Sequence, residues 1–123
     1  MDVVRVLVVD DVAAYLGAMA AVVAETPGFE VVGEASSGED ALVVATRSVP
    51  DLVLMDVHLP GIDGVEATRR LLLGARPPTV VLLSTYDDEA GQHFVTESGA
   101  AAYVHKAVFG PDSLEQAWSA SRT

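Results

Sequence analysis

The 123-residue chain contains no cysteine. Disulfides and cysteine-ligated zinc are therefore excluded. It is also poor in basic residues: seven Lys and Arg stand against eighteen Asp and Glu, for a formal net charge of −11. The seven are scattered along the chain. An acidic surface repels phosphate backbones, so this chain by itself is a poor nucleic-acid binder. No apolar run approaches the roughly 18 residues that suggest a membrane span. The opening Met-Asp-Val-Val-Arg leads directly into a strand-like run and lacks the shape of a signal peptide. The sequence shows no internal repeat, no low-complexity segment and no histidine pair with metal-ligand spacing. A cytoplasmic location with no membrane partner is the matching expectation.

What the chain does have is core-forming material: 50% of its residues are hydrophobic. Its length is that of one domain, expected over residues 1–123. The run Val6-Leu7-Val8-Val9 is short and mostly β-branched, and it ends on Asp10-Asp11. Such a run reads as a strand buried on both faces. Two carboxylates about 5 Å apart repel by roughly 3 kcal/mol at an effective dielectric of about 20. From this stretch alone, a cation site and a solvated helix cap are equally good readings.

Further along, strands and helices alternate. A helix follows Asp11, with Val12, Leu16, Met19, Ala20 and Val23 as its apolar stripe, and Pro27-Gly28 ends it. Phe29 to Glu34 is a second strand. Ser37-Gly38-Glu39-Asp40 is a capping signal, with Leu42, Val43 and Ala45 of the next helix facing inward. Asp51 to Met55 is a third strand, with Asp56 at its end. Asp63 and Glu66 open the next helix, which buries Val65, Thr68, Leu71 and Leu72 and stops at Gly74. Thr79 to Leu83 is a fourth strand, closing on Ser84. A helix that begins near Asp87 and ends before Gly99 contains Gly91, which costs about 1 kcal/mol against Ala. Ala101 to Val104 is a fifth strand, followed by His105 and Lys106. Asp112 and Glu115 open a last helix bearing Leu114, Ala117 and Trp118. Five β-α units imply an α/β fold: a doubly wound, flavodoxin-like parallel sheet of five strands, order 2-1-3-4-5.

In that order the polar strand ends converge. Asp10 and Asp11 follow strand one, Asp56 strand three, Ser84 strand four and Lys106 strand five. Ligands in such sheets bind outside the carboxyl ends of the strands. Three carboxylates, a hydroxyl and an ammonium suit phosphoryl chemistry. The acids, with a backbone carbonyl, can hold Mg²⁺. Asp56 is the best nucleophile candidate, Lys106 can neutralise a phosphoryl oxygen, and Ser84 can donate to another. Each residue alone is more often a cap or a surface group; five on the correct strand ends reverse that balance.

The quoted motifs resemble those of the response-regulator receiver domains of bacterial two-component signalling, over essentially the whole chain. They are Asp10-Asp11, the segment from Leu54 to Gly64 around Asp56, Leu83-Ser84, and Tyr103-Val104-His105-Lys106. The resemblance implies that Asp56 accepts a phosphoryl group from a sensor histidine kinase. It implies Mg²⁺ held by Asp11 and Asp56, with Asp10 acting through water and the His58 backbone carbonyl completing the protein ligands. Ser84 and Lys106 would hold phosphoryl oxygens, and Ser84 and Tyr103 would act as the switch. The segments from Leu83 to Glu89 and from Gly64 to Leu71 look most like NarL/LuxR-type transcription regulators. That implies DNA control through a separate helix-turn-helix domain, and possible homodimers on phosphorylation. The chain would be a phosphorylation switch rather than a turnover enzyme. A single-domain regulator and a Mg²⁺-dependent aspartyl-phosphate phosphatase are the alternatives. Ala107 stands where many family members carry proline, so an ordinary trans peptide is expected after Lys106.

Overall fold

The computed structural model describes residues 2–122; the expected domain limits at residues 1 and 123 lie outside them. Five strands alternate with five helices. The strands are β1 (Val4–Val9), β2 (Phe29–Ala35), β3 (Leu52–Asp56), β4 (Thr79–Ser84) and β5 (Ala102–His105). The helices are α1 (Ala13–Glu25), α2 (Gly38–Ser48), α3 (Gly64–Leu72), α4 (Asp88–Ser98) and α5 (Pro111–Ser121). A short 3-10 turn, Lys106–Val108, follows β5. All neighbours in the sheet are parallel, in the order β2-β1-β3-β4-β5. The expected topology is therefore the observed one.

The continuous apolar runs of the central strands follow from burial on both faces. Side chains alternate across a strand. Leu7, Val9, Val53, Met55 and Leu82 pack on one side with Ala41, Val65 and Phe94 of α2, α3 and α4. Val6, Val8, Leu52, Leu54, Val81 and Leu83 pack on the other with Met19, Val23 and Leu114 of α1 and α5. Fully burying each Leu or Val contributes about 1.5–3 kcal/mol. Register then fixes the site. Val9 pairs with Met55, and Asp56 with Leu83, so the strand ends lie level with one another.

Helix starts follow the expected polar caps. The side chains of Ser37, Asp63 and Asp87 accept from the backbone N–H groups of Asp40, Glu66 and Ala90. Gly99 ends α4 at a left-handed φ of 85°, a conformation open to glycine at little cost.

Four details differ from the sequence reading. Val12 is the residue before α1 and is 44% exposed, so the buried stripe begins further in. Val43 is 48% exposed, because two residues beyond buried Ala41 the helix has turned it away from the sheet. Helix α5 opens at Pro111, and the Gly110 N–H donates to Ser113 Oγ, so Ser113 rather than Asp112 satisfies that end. Helix α3 closes at Leu72, before Gly74, whose N–H still reaches the Leu71 carbonyl. The described peptides, including Lys106-Ala107, are all trans. No described helix is long and apolar enough to cross a membrane.

Candidate functional site

Every polar strand end singled out in the sequence lies at the carboxyl edge of the sheet. Asp10 follows β1 and is wholly buried, while the neighbouring Asp11 is exposed. Asp56 closes β3 and Ser84 closes β4, and both are buried. Lys106 opens the turn after β5. Oxygens of Asp10, Asp11 and Asp56 all lie within 4.8 Å of one another.

The Lys106 ammonium bridges two of these acids. Its Nζ lies 2.7 Å from Asp10 Oδ2 and 3.1 Å from Asp56 Oδ1. The third face of the ammonium meets the Tyr15 ring, 3.9 Å from its centroid. Three carboxylates against one ammonium leave the crevice two charges negative. Burial, and then the Asp10 carboxylate, push Asp56 above the ordinary carboxylate range, against the pull of Lys106. Burial alone would lower the Lys106 ammonium, but its hydrogen bonds to Asp10 and Asp56 outweigh that and raise it. The donor set is all oxygen, which suits a hard divalent cation such as Mg²⁺. The cluster could hold a metal ion, and the excess negative charge favours one.

Asp10 does a second task. Its Oδ1 accepts from the Val12 N–H at 2.9 Å, so Asp10, not Asp11, ties down the start of α1. Asp10 thus belongs both to the acidic cluster that could hold a cation and to the turn that leads into α1.

The loop after Asp56 is held tightly. A side chain at Gly64 would collide with the Asp56 carbonyl oxygen, and the Gly64 N–H donates to Val57 O at 2.8 Å. Glu39 of α2 reaches across, and its carboxylate accepts from the Ile62 N–H at 3.1 Å. A bond to its own backbone N–H, and then the one from Ile62, hold the Glu39 carboxyl below its usual range. Gly61, at φ 73°, lies against the same carboxylate.

Ser84 and Tyr103 are in direct contact. Their hydroxyls lie 2.7 Å apart, and the Tyr103 hydroxyl also donates to the Tyr86 carbonyl. Ser84 Oγ accepts from the Tyr86 N–H at 3.1 Å. Burial raises the Tyr103 hydroxyl above its ordinary value. The ring lies against Gly91 of α4, where a Cβ would strike it. His58 is exposed, but its ring packs against Tyr86 at 4.6 Å and Phe94 at 5.9 Å.

Two residues of this neighbourhood escaped the sequence reading. In the sequence Glu39 stands only as part of a helix start. Tyr15 lies outside the apolar stripe of Val12, Leu16, Met19, Ala20 and Val23, although 15, 19 and 22 share a helix face, and Tyr15, Met19 and Val22 line one small cavity.

Residues 6–119 match the family described as the response regulator receiver domain. The chain belongs to that family. It is similar to the response regulator GacA of Pseudomonas aeruginosa, with 39% identity over 114 residues, which is 93% of this chain and 53% of that protein. Among solved structures it resembles the NarL signal receiver domain of Mycobacterium tuberculosis, with a TM-score of 0.87, 25% identity, and coverage of 99% of this chain and 98% of that one. It also resembles a LuxR-family two-component response regulator of Aurantimonas, with a TM-score of 0.85, 30% identity, and coverage of 97% of this chain and 84% of that one. The receiver domain thus falls with the NarL/LuxR-type regulators. The chain spans about half the length of the curated relatives it matches.

Proposed function

We propose that this receiver domain takes a phosphoryl group onto Asp56 from a histidine kinase and passes the event on as a change of shape. One observation carries the reading: the Lys106 ammonium, bonded to both Asp10 and Asp56, stands beside the carboxylate that would react. A free Asp56 oxygen attacks phosphorus. The new P–O bond forms as the bond to the donor imidazole breaks, and the imidazole nitrogen leaves with the electron pair. Lys106 neutralises charge on the phosphoryl oxygens, and Ser84 donates to one of them. Asp11, Asp56 and the His58 backbone carbonyl would hold Mg²⁺, with Asp10 behind them. When bound, the ion screens the carboxylates from one another and from the incoming phosphate.

Switching follows from the Ser84 hydroxyl. It is shared with Tyr103, so donation to a phosphate loosens the tyrosine and the α4 surface it packs on. A population shift of a few kcal/mol is sufficient. The event is a reversible modification rather than turnover of a substrate. Its output is transcriptional, through a DNA-binding domain of a longer cytoplasmic regulator, with homodimer formation on phosphorylation.

The test is intact-mass measurement after incubation with acetyl phosphate and MgCl₂. The chain should gain one phosphoryl group, and Asp56→Asn should gain none. An Asn variant labelled at the wild-type rate would sink the assignment.

A further inference from the structure

Lys106 makes three polar contacts, and only two are with the acids. The third is the ring of Tyr15, in the first turn of α1, 3.9 Å from Nζ to centroid. An ammonium at that distance from an aromatic face is attracted by the negative face of the ring. The contact also shields the cation. Tyr15 is itself 42% exposed, whereas the Lys106 side chain is only 10% exposed.

The lysine stem is not closely packed on every side. A cavity of about 60 Å³ lies between α1 and the turn after β5, lined by Tyr15, Met19, Val22, Leu83, Lys106 and Phe109. A flexible four-carbon stem beside a void has room to change rotamer. The head group is therefore held by its charge contacts. The carboxylates are the variable pair of the three, because a cation at the acidic cluster would draw on the same two acids. The ring carries no oxygen in that competition.

We infer that Tyr15 is a positioning residue that keeps the Lys106 ammonium docked beside Asp56, including when a metal ion shares the carboxylates. The inference rests on the phosphoacceptor reading for its consequence but not for the contact itself. The aromatic face is the operative feature, so the phenol oxygen is dispensable and the ring is not.

Two measurements test it. The first is the proton shift of the Lys106 ε-methylene by NMR. Ring current should move it upfield in the wild type and in Tyr15→Phe, with and without MgCl₂. The shift should vanish in Tyr15→Leu and Tyr15→Met. The second is the rate of phosphate uptake from acetyl phosphate. Tyr15→Phe should match the wild type. Tyr15→Leu and Tyr15→Met should be slower by about two- to five-fold, the range of a cation–π contact at a partly exposed site. Backbone amide spectra identify any variant that has lost its fold, and Tyr15→Phe against Tyr15→Met then decides. An unshifted ε-methylene in the wild type would overturn the inference. So would a Tyr15→Met rate equal to that of Tyr15→Phe. A wild-type chain that takes up no phosphate would overturn the phosphoacceptor reading instead, and the ring-current shift would then decide the contact alone.

Discussion

The Lys106 ammonium lies 2.7 Å from the Asp10 carboxylate, across 96 residues of chain. Asp10 is fully buried and the Lys106 side chain nearly so. Removing one partner of a buried pair leaves an uncompensated charge, at a cost of about 3 kcal/mol. Lys106→Met should therefore lower stability by that order in urea titration without added metal. Asp10→Asn together with Lys106→Met should cost less than the two single changes added. Strict additivity would show that the two groups are not coupled.

Asp56 works against the fold as an ion. Its raised pKa means that the folded state holds its proton more tightly than the unfolded state, whose value is near 3.8. The sign follows: its contribution is most favourable below 3.8 and is lost as pH rises through the raised folded value. Asp56→Asn should thus raise the stability of the metal-free domain at neutral pH, as read by urea titration. It should also flatten the stability–pH curve just above the ordinary carboxylate range. An Asn variant less stable than the wild type at pH 7 would contradict this. The raised Lys106 value has the same sign in a separate window, its contribution being lost only above about 10.5.

Magnesium should stabilise the domain by mass action, because the acidic cluster forms only when β1 and β3 lie side by side. At 100 times the dissociation constant, binding is worth about 2.7 kcal/mol. A rising melting temperature with MgCl₂, beyond that given by KCl of equal ionic strength, is the expected result. Asp11→Asn should remove most of the rise. Asp11 is exposed and has no structural hydrogen bond to lose among those described, so its fold should survive.

Gly91→Ala separates helix propensity from packing. Propensity alone predicts a gain of about 1 kcal/mol for α4. The added methyl would meet the Tyr103 ring, and overpacking of this kind costs about 1–3 kcal/mol. Net destabilisation in urea is expected. Tyr103→Ala should erase that loss and turn the substitution favourable. A stabilised single variant would mean that Tyr103 moves aside freely.

Most of the fold was legible because its signals are local. The apolar runs, the caps at Ser37, Asp63 and Asp87, and the stops at Pro27-Gly28 and Gly99 each lie within a few residues of what they determine. The strand-end acids, Ser84 and Lys106 were legible because topology carries them to one edge. Val43 misled because it is apolar but lies on the wrong side of α2. Tyr15 was hidden for a different reason. Its partner is 91 residues away, and nothing near Tyr15 in the sequence marks a cation above the ring. The double duty of Asp10 was hidden likewise, since sequence order does not say which of two adjacent acids turns inward.

Strand β5 is four residues long and has a strand on one side only. An edge of that kind is the part of a sheet most easily loosened. Yet Lys106, just beyond it, is latched to Asp10 on the far side of β3 and β4. The border of the sheet is therefore moored to its centre by a charge as well as by its backbone pairing with β4. Any change of charge at the centre alters the tension on that mooring, and amide exchange in β5 would report it from three strands away.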